Sequence, residues 1–487
     1  MSTSLTSFTD EALISLDTLG ARASSLVDPS LRLGVTGLSR AGKTVFITAL
    51  IHALTNNTKL PQLQVQKQGR LKSAVLAHQP DDTIPRFQYE EHLRRLIGER
   101  IWPESTKAIS EIRITLNYES ASGWNRMFGA GKFSLDIIDY PGEWLLDLPL
   151  LSKTFSEFSA QTFDLSRQRP QIAADWHSAV SAISPGDTFS EETANKLAEI
   201  FTAYLRAGKS DERALSTLPP GRFLMPGDLA GSPALTFVPL ENTQENPAAN
   251  TYAGVFTRRY EAYKSKVVRP FFREHVAKLD RQIVLIDALQ AINAGPEAVA
   301  DLERALSEIL SCFRPGLPGM FSQLFLRRID KILIAATKAD HLHHEAHDGL
   351  TNIVRRIANN AAKRASLSNA TVDVIALAAI RATREGTLKH GKEDLPVIMG
   401  TPVAGEKIGK DLFDGETETA IFPGDLSANP DSLFEPHRVG EMSKDPLLRF
   451  VRFRPPKLEH LGSDINLSIP HIRLDKALQF LIGDRLV

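Results

Sequence analysis

Residues Leu31–Thr44 read LRLGVTGLSRAGKT. Leu31, Leu33 and Val35 make a short apolar strand. Gly37, Gly42, Lys43 and Thr44 complete the spacing G-x-x-x-x-G-K-[ST], and a helical apolar pattern follows from Val45 to Leu54. A phosphate-binding loop needs this context, with a strand entering and a helix leaving. Gly37 lets the chain turn, and Gly42 keeps a Cβ away from the anion. Backbone N–H groups of Ser39, Arg40, Ala41, Gly42, Lys43, Thr44 and Val45 then converge on phosphate at a helix N-terminus. Lys43 reaches the β- and γ-phosphates, and the Thr44 hydroxyl can ligate Mg²⁺.

The 487 residues allow two or three domains. With 57 Lys+Arg against 58 Asp+Glu, there is no basic footprint for nucleic acid. The single Cys312 rules out an intramolecular disulfide and a Cys-based zinc cage, and suits a reducing cytoplasm. The first twenty residues carry acids and no basic n-region, unlike a signal peptide. The longest clean apolar run, about Val374–Ile380, is too short to span a membrane, which leaves only peripheral membrane contact open.

Outward from the loop, 1–30 reads as an amphipathic helix with Leu13, Leu16 and Leu19 on one face. Leu63–Ala77 alternates loosely, as an added hairpin would, and Arg86–Ile101 is helical up to the break at Pro103. Glu111–Tyr118 and Phe133–Asp139 read as an antiparallel hairpin. Helical periods occupy about 144–182, 189–208 and 253–277. Arg281–Asp287, Lys331–Thr337 and Val372–Ile380 are continuous apolar strands, separated by helices over Pro296–Cys312 and His344–Ser366. Such alternation predicts an α/β fold, a mostly parallel sheet with helices on both faces and one antiparallel edge hairpin. Residues 386–468 read as a small β-rich insertion with strand pieces at Pro396–Met399 and Arg449–Arg454. An amphipathic helix, Ile472–Ile482, closes the chain.

Two further stretches address a nucleotide. Asp139-Tyr140-Pro141-Gly142-Glu143 ends the hairpin's second strand, where an acid can hold the water shell of Mg²⁺ and the Gly142 N–H can meet a γ-phosphate. Thr337-Lys338-Ala339-Asp340 follows the strand KILIAAT and resembles the guanine-reading [NT]-K-x-D motif. Its carboxylate can accept hydrogen bonds from guanine N1–H and the 2-amino group, while adenine offers neither there. Ala379 and Ile380, after the next strand, are the candidates for a backbone contact to guanine O6. Thr106 is the candidate Mg²⁺-sensing residue before the hairpin, with Ser105 and Thr83 as alternatives. Trp102, Trp124 and Trp144 flank these segments and are read as core residues.

In this order the three motifs resemble the translation-factor-related GTPases. Together GLSRAGKT, DYPGEW, TKADHL, ALAAIRAT and the large helical insertion resemble the bacterial YcjX family of stress-associated GTP-binding proteins. The resemblance implies a Ras-like P-loop GTPase domain over 31–142, 278–385 and 469–487. It also implies a helical insertion over 143–277, a β-rich subdomain over 386–468, and a role in bacterial stress. The expected ligands are GTP or GDP with Mg²⁺, and the effector protein is unnamed.

Lys43, Gly142 and Glu143 are the expected catalytic residues. Small GTPases place Gln after the motif's glycine, whereas this chain has Glu143. A carboxylate beside a triphosphate either slows hydrolysis or turns away. Arg40 inside the loop could supply a cationic finger in cis, although such a side chain more often faces solvent. A non-hydrolysing interaction module and an ATPase are the competing functions. In HLHHEAH, His343 and His347 share helical spacing suited to a metal, but without a third ligand they read as solvated histidines at a helix start.

Overall fold

The computed structural model describes residues 29–38, 40–56, 58–104, 106, 108–121, 131–167, 169–210, 218–243, 246–312, 329–366, 370–390, 393–427, 429–434, 450–458 and 468–487. The expected N-terminal helix, Trp124, Ser39 and Ser105 lie outside the described residues. The centre is a sheet of seven strands: β1 (Ser30–Gly37), β2 (Leu71–Ala77), β3 (Ser110–Tyr118), β4 (Gly131–Asp139), β5 (Arg281–Ile286), β6 (Lys331–Ala336) and β7 (Thr371–Ala376). Their spatial order is β2-β3-β4-β1-β5-β6-β7. The run from β4 to β7 is parallel, so the C-terminal ends of β1, β4, β5, β6 and β7 all open on one side. β3 is antiparallel to β4 and β2 to β3. This is the α/β class expected.

Several elements differ in detail. Leu63–Ala77 forms no hairpin of its own; Gln64–Lys67 is a helical turn, and Leu71–Ala77 adds an edge strand outside the 111–139 hairpin. The strand expected to reach Ile380 stops at Ala376, because Leu377–Ile380 turns away toward the segment before the last helix. The helix expected from residue 144 opens as a 3-10 stretch, Gly142–Ser152, which contains Pro149 and so cannot hold an α-helical ladder. Arg449–Arg454 forms no strand among its described residues; Phe453 makes one isolated bridge to Pro402. In the β-rich region β8 (Arg384–His390), β9 (Glu393–Gly400) and β10 (Thr419–Ile421) form a three-stranded antiparallel sheet.

Two apolar clusters cover the faces of the central sheet. One joins it to α1 (Lys43–Thr55) and the closing helix Leu474–Ile482. The other joins Ile138, Val284, Ile286, Ile332 and Ile334 to the helices between Phe155 and Val276, and to those of Pro296–Cys312 and His347–Ser366. The helices after Gly142 therefore share their core with the sheet. Arg281, fully buried at the start of β5, is held by Asp330 at 2.9 Å and Asp484 at 2.6 Å, and so ties the chain's last turn to the sheet.

Glu111 on β3 is buried, with its nearest cation, Arg32, at 3.6 Å. Burial pushes its carboxyl up to about 7 from an ordinary 4.5. The folded state therefore prefers the protonated form, and stability is lost as pH rises between those two values. Glu111→Gln is expected to raise the thermal midpoint most at pH 8 and progressively less toward pH 5. Thermal scans across that range check it.

Candidate functional site

β1 carries the chain straight into the phosphate loop, and α1 leaves it at Lys43. Gly42 takes φ 80°, which a side chain would strain, and a Cβ there would meet no heavy atom within 4 Å. The conformation, rather than crowding within the protein, therefore demands glycine. A cavity of about 390 Å³ lies over the loop. Arg40, Ala41, Gly42, Lys43, Thr44 and Val45 line one end, and Thr337, Lys338, Asp340, Ala379 and Ile380 the other.

Beside Thr44 the structure gathers the residues suited to Mg²⁺. Thr44 Oγ1 lies 3.3 Å from Thr106 Oγ1, and Thr106 donates to Asp139 Oδ2 at 2.8 Å. Asp139 is buried, and its Oδ1 has no hydrogen-bond partner among the described residues. Burial pushes its carboxyl up to about 6, against the pull of Lys43 and of the Thr106 hydrogen bond. Two hydroxyls and a buried carboxylate with one oxygen still unsatisfied are a hard donor set that fits Mg²⁺ with its waters. Of the two alternatives to Thr106, Thr83 is bonded to Asp81 in its own loop.

Gly142 meets Gly37 backbone to backbone. A Cβ on Gly142 would sit 1.9 Å from the Gly37 carbonyl oxygen, so the turn after Asp139 rests on the phosphate loop. Glu143 is not part of the cavity wall. It is buried, and Lys209 Nζ meets its Oε1 at 2.6 Å. Burial raises its carboxyl, but Lys43 and Lys209 outweigh that and leave it below the usual carboxylate range. Glu143 is thus turned toward the helix Glu191–Ser210, which carries Lys209. The neighbouring residues are held from the same side. The Arg222 guanidinium lies 3.3 Å over the Trp144 ring, and Asp147 accepts from Gly221 N–H at 2.7 Å and Tyr263 O–H at 2.6 Å.

At the far end Lys338 adopts φ 60° and pairs with Asp287, the cap of the helix Ala288–Ala294. Asp340 is buried and accepts the Ala382 N–H on Oδ2 at 2.8 Å. A carboxylate has about four lone-pair sites, so capacity for two base N–H groups remains. Ala378 and Ala382 also line this end.

The cavity also takes in residues that were not among the expected site residues, Trp102, His341, Arg452 and Phe453 among them. Trp102, read as core, does pack partly buried against the cluster that contains α1, and it also walls the cavity. Arg452 and Phe453 come from the far side of the β-rich region, and no local pattern marks them. The reading of His343 and His347 as solvated histidines at a helix start does not hold for His347. His347 is buried with Nε2 2.9 Å from the Ala339 carbonyl, so it is no solvated histidine. His343 instead comes near His344 and Glu345.

The family profile described as "YcjX-like family, DUF463" matches residues 31–486. A protein of Escherichia coli (strain K12) named "Ras-like GTPase YcjX" is 37% identical over 482 residues, covering 96% of this chain and 98% of that one. Another of the same name from Shewanella oneidensis is 32% identical over 501 residues, covering 97% and 99%.

The Glu143–Lys209 contact makes a stability prediction. Lys209→Met leaves a buried carboxylate without its nearest cation and is expected to cost about 1–3 kcal/mol. Glu143→Gln combined with Lys209→Met is expected to recover most of that. Denaturant unfolding of the two variants checks both.

Proposed function

The chain belongs to the YcjX-like family, and we propose that it is a GTPase that works as a guanine-nucleotide switch. One observation carries the reading: a single cavity has a phosphate loop at one end and the buried carboxylate of Asp340 at the other. The two ends suit the triphosphate and the purine of one ligand. The loop amides and Lys43 would hold the phosphates. The Asp340 carboxylate would take guanine N1–H and the 2-amino group, and would be left unpaired by adenine. Thr44, Thr106 and Asp139 would hold Mg²⁺, which when bound neutralises charge on the β- and γ-phosphates. The Gly142 N–H would meet the γ-phosphate, and the turn would shift when that phosphate leaves.

Turnover is expected to be slow. The side chain after Gly142 is a carboxylate engaged by Lys209, so it is poorly suited to orient a water. The same contact supports the second reading, a module that binds nucleotide without hydrolysing it. In either case the helical region 143–277 would receive the signal, because its first residues, Glu143, Trp144 and Asp147, are held by Lys209, Arg222 and Gly221 further along it. A cytoplasmic place fits the single Cys312, and a bacterial stress role fits the family resemblance, with 386–468 as a β-rich subdomain.

Affinities for GDP and ADP, each with and without Mg²⁺, test the assignment. GDP is expected to bind with strong preference over ADP. Asp340→Asn is expected to lose about 2 kcal/mol or more of GDP affinity and to gain affinity for xanthosine diphosphate, since an amide donates to the C2 carbonyl. Unchanged GDP affinity in that variant would remove the guanine reading. Single-turnover phosphate release, compared with Lys43→Ala, separates the GTPase from the non-hydrolysing module.

A further inference from the structure

The Asp340 side of the cavity is lined in part by a strap that the phosphate-loop fold does not need. Residues 450–455 return from the β-rich region, and Phe453 and Arg452 line the cavity there. The Phe453 ring stands edge-on to His341, the residue after Asp340, with centroids 5.3 Å apart and planes at 88°. Its position is fixed from behind: a Cβ on Gly400 of β9 would come within 2.8 Å of Phe453 Cδ1. The strap also grips the loop that leads to Thr106. Trp102 Nε1 donates to the Phe453 carbonyl at 2.6 Å, and Arg100 Nε donates to the Pro455 carbonyl at 3.0 Å. Arg100 itself takes φ 53°, so the chain turns sharply to meet the strap.

We propose that Phe453 is a further base-contacting residue, and that the peptide carrying it latches the loop of Trp102 and Thr106 closed over the bound nucleotide. The proposal rests on the guanine-nucleotide reading above and adds the group that governs release. Phe453 belongs to a small cluster with Ile398, Ile421 and Val451, and that role alone would be plain packing. A packing residue need not also wall the ligand cavity, meet the ring next to the base-reading carboxylate, and accept a hydrogen bond from the loop that carries a Mg²⁺ candidate. Those three contacts converge on one residue. An aromatic edge or face is a favourable, sequence-tolerant neighbour for a purine. The latch hydrogen bond is neutral and partly buried, so its loss should speed opening about 3- to 10-fold. A ligand held at both ends leaves only when this loop lifts. Any protein that pulls on the β-rich sheet of β8, β9 and β10 would thereby promote nucleotide exchange.

The test follows radiolabelled GDP leaving the full-length chain in a chase with unlabelled GDP. Trp102→Phe keeps a smaller aromatic ring and removes the indole N–H; release about 3- to 10-fold faster is expected, with the chain still folded. Phe453→Ala is expected to release faster still, and Phe453→Tyr to restore release to near the wild-type rate. Release at the wild-type rate in Trp102→Phe overturns the latch, even if Phe453→Ala does not fold. Release at the wild-type rate in a folded Phe453→Ala overturns the base contact. A wild-type chain with no affinity for GDP overturns the nucleotide reading itself, and the latch with it.

Discussion

Two places where backbone lies on backbone hold the site together. Gly142 sits so close to Gly37 that a Cβ would come 1.9 Å from its carbonyl oxygen, and Gly221 stands over Glu143, where a Cβ would come 2.0 Å from that carbonyl. Neither contact tolerates any side chain. The first joins the end of β4 to the loop that leaves β1, and the second joins the same turn to the helical region. Any displacement of Gly142 must therefore be felt at Gly37 on one side and, through Glu143, at Gly221 on the other. Close-packed contacts of this kind switch between discrete arrangements and do not stretch.

Buried charge strengthens the coupling. Asp147 lies below the turn and takes N–H groups from Gly221 and Arg222 and the hydroxyl of Tyr263, and burial pushes its carboxyl up to about 6. Glu143, one turn earlier, leans on Lys209. Separating either acid from its partners would strand a polar group in a closed interior, which costs far more than the contact is worth when made. The helical region cannot drift off the turn piecemeal. It must follow the turn, or a different set of partners must take these groups.

How legible this was depends on the distance over which each feature is encoded. The phosphate loop, the turn after Asp139 and the TKAD stretch are local, because strand, glycine and charged residue lie within a few positions of one another. Thr106 was chosen by its place before β3, since the fold fixes where that loop must run, and it lies beside Thr44 and Asp139. Glu143 was recognised as an odd residue, but its partner Lys209 is 66 positions away on a helix whose pattern shows only that it is amphipathic. β2 was half legible: its alternation was visible, but its pairing with β3 is a tertiary fact. Phe453 left no trace, because a single aromatic in a β-rich stretch reads as core. Short apolar runs also overstate strands, as Val372–Ile380 did. Leu377 and Ala378 are as buried as any strand residue while serving a turn.

These contacts give the cavity two exits for a signal, on different chemistry. At the phosphate end, motion passes through crowded glycines and buried acids into helices that share the sheet's own core, so it is opposed by packing over a large area. At the base end, motion passes through a few hydrogen bonds from Trp102 and Arg100 into a small separate cluster on β9 and β10. The second connection is the weaker one, since one neutral hydrogen bond and one from a guanidinium are together worth only a few kcal/mol. A γ-phosphate bound as proposed would therefore be read by the stiff side of the molecule, where a small shift must move whole helices. The loop of Trp102 would be guarded by the soft side, where it could open without disturbing the sheet.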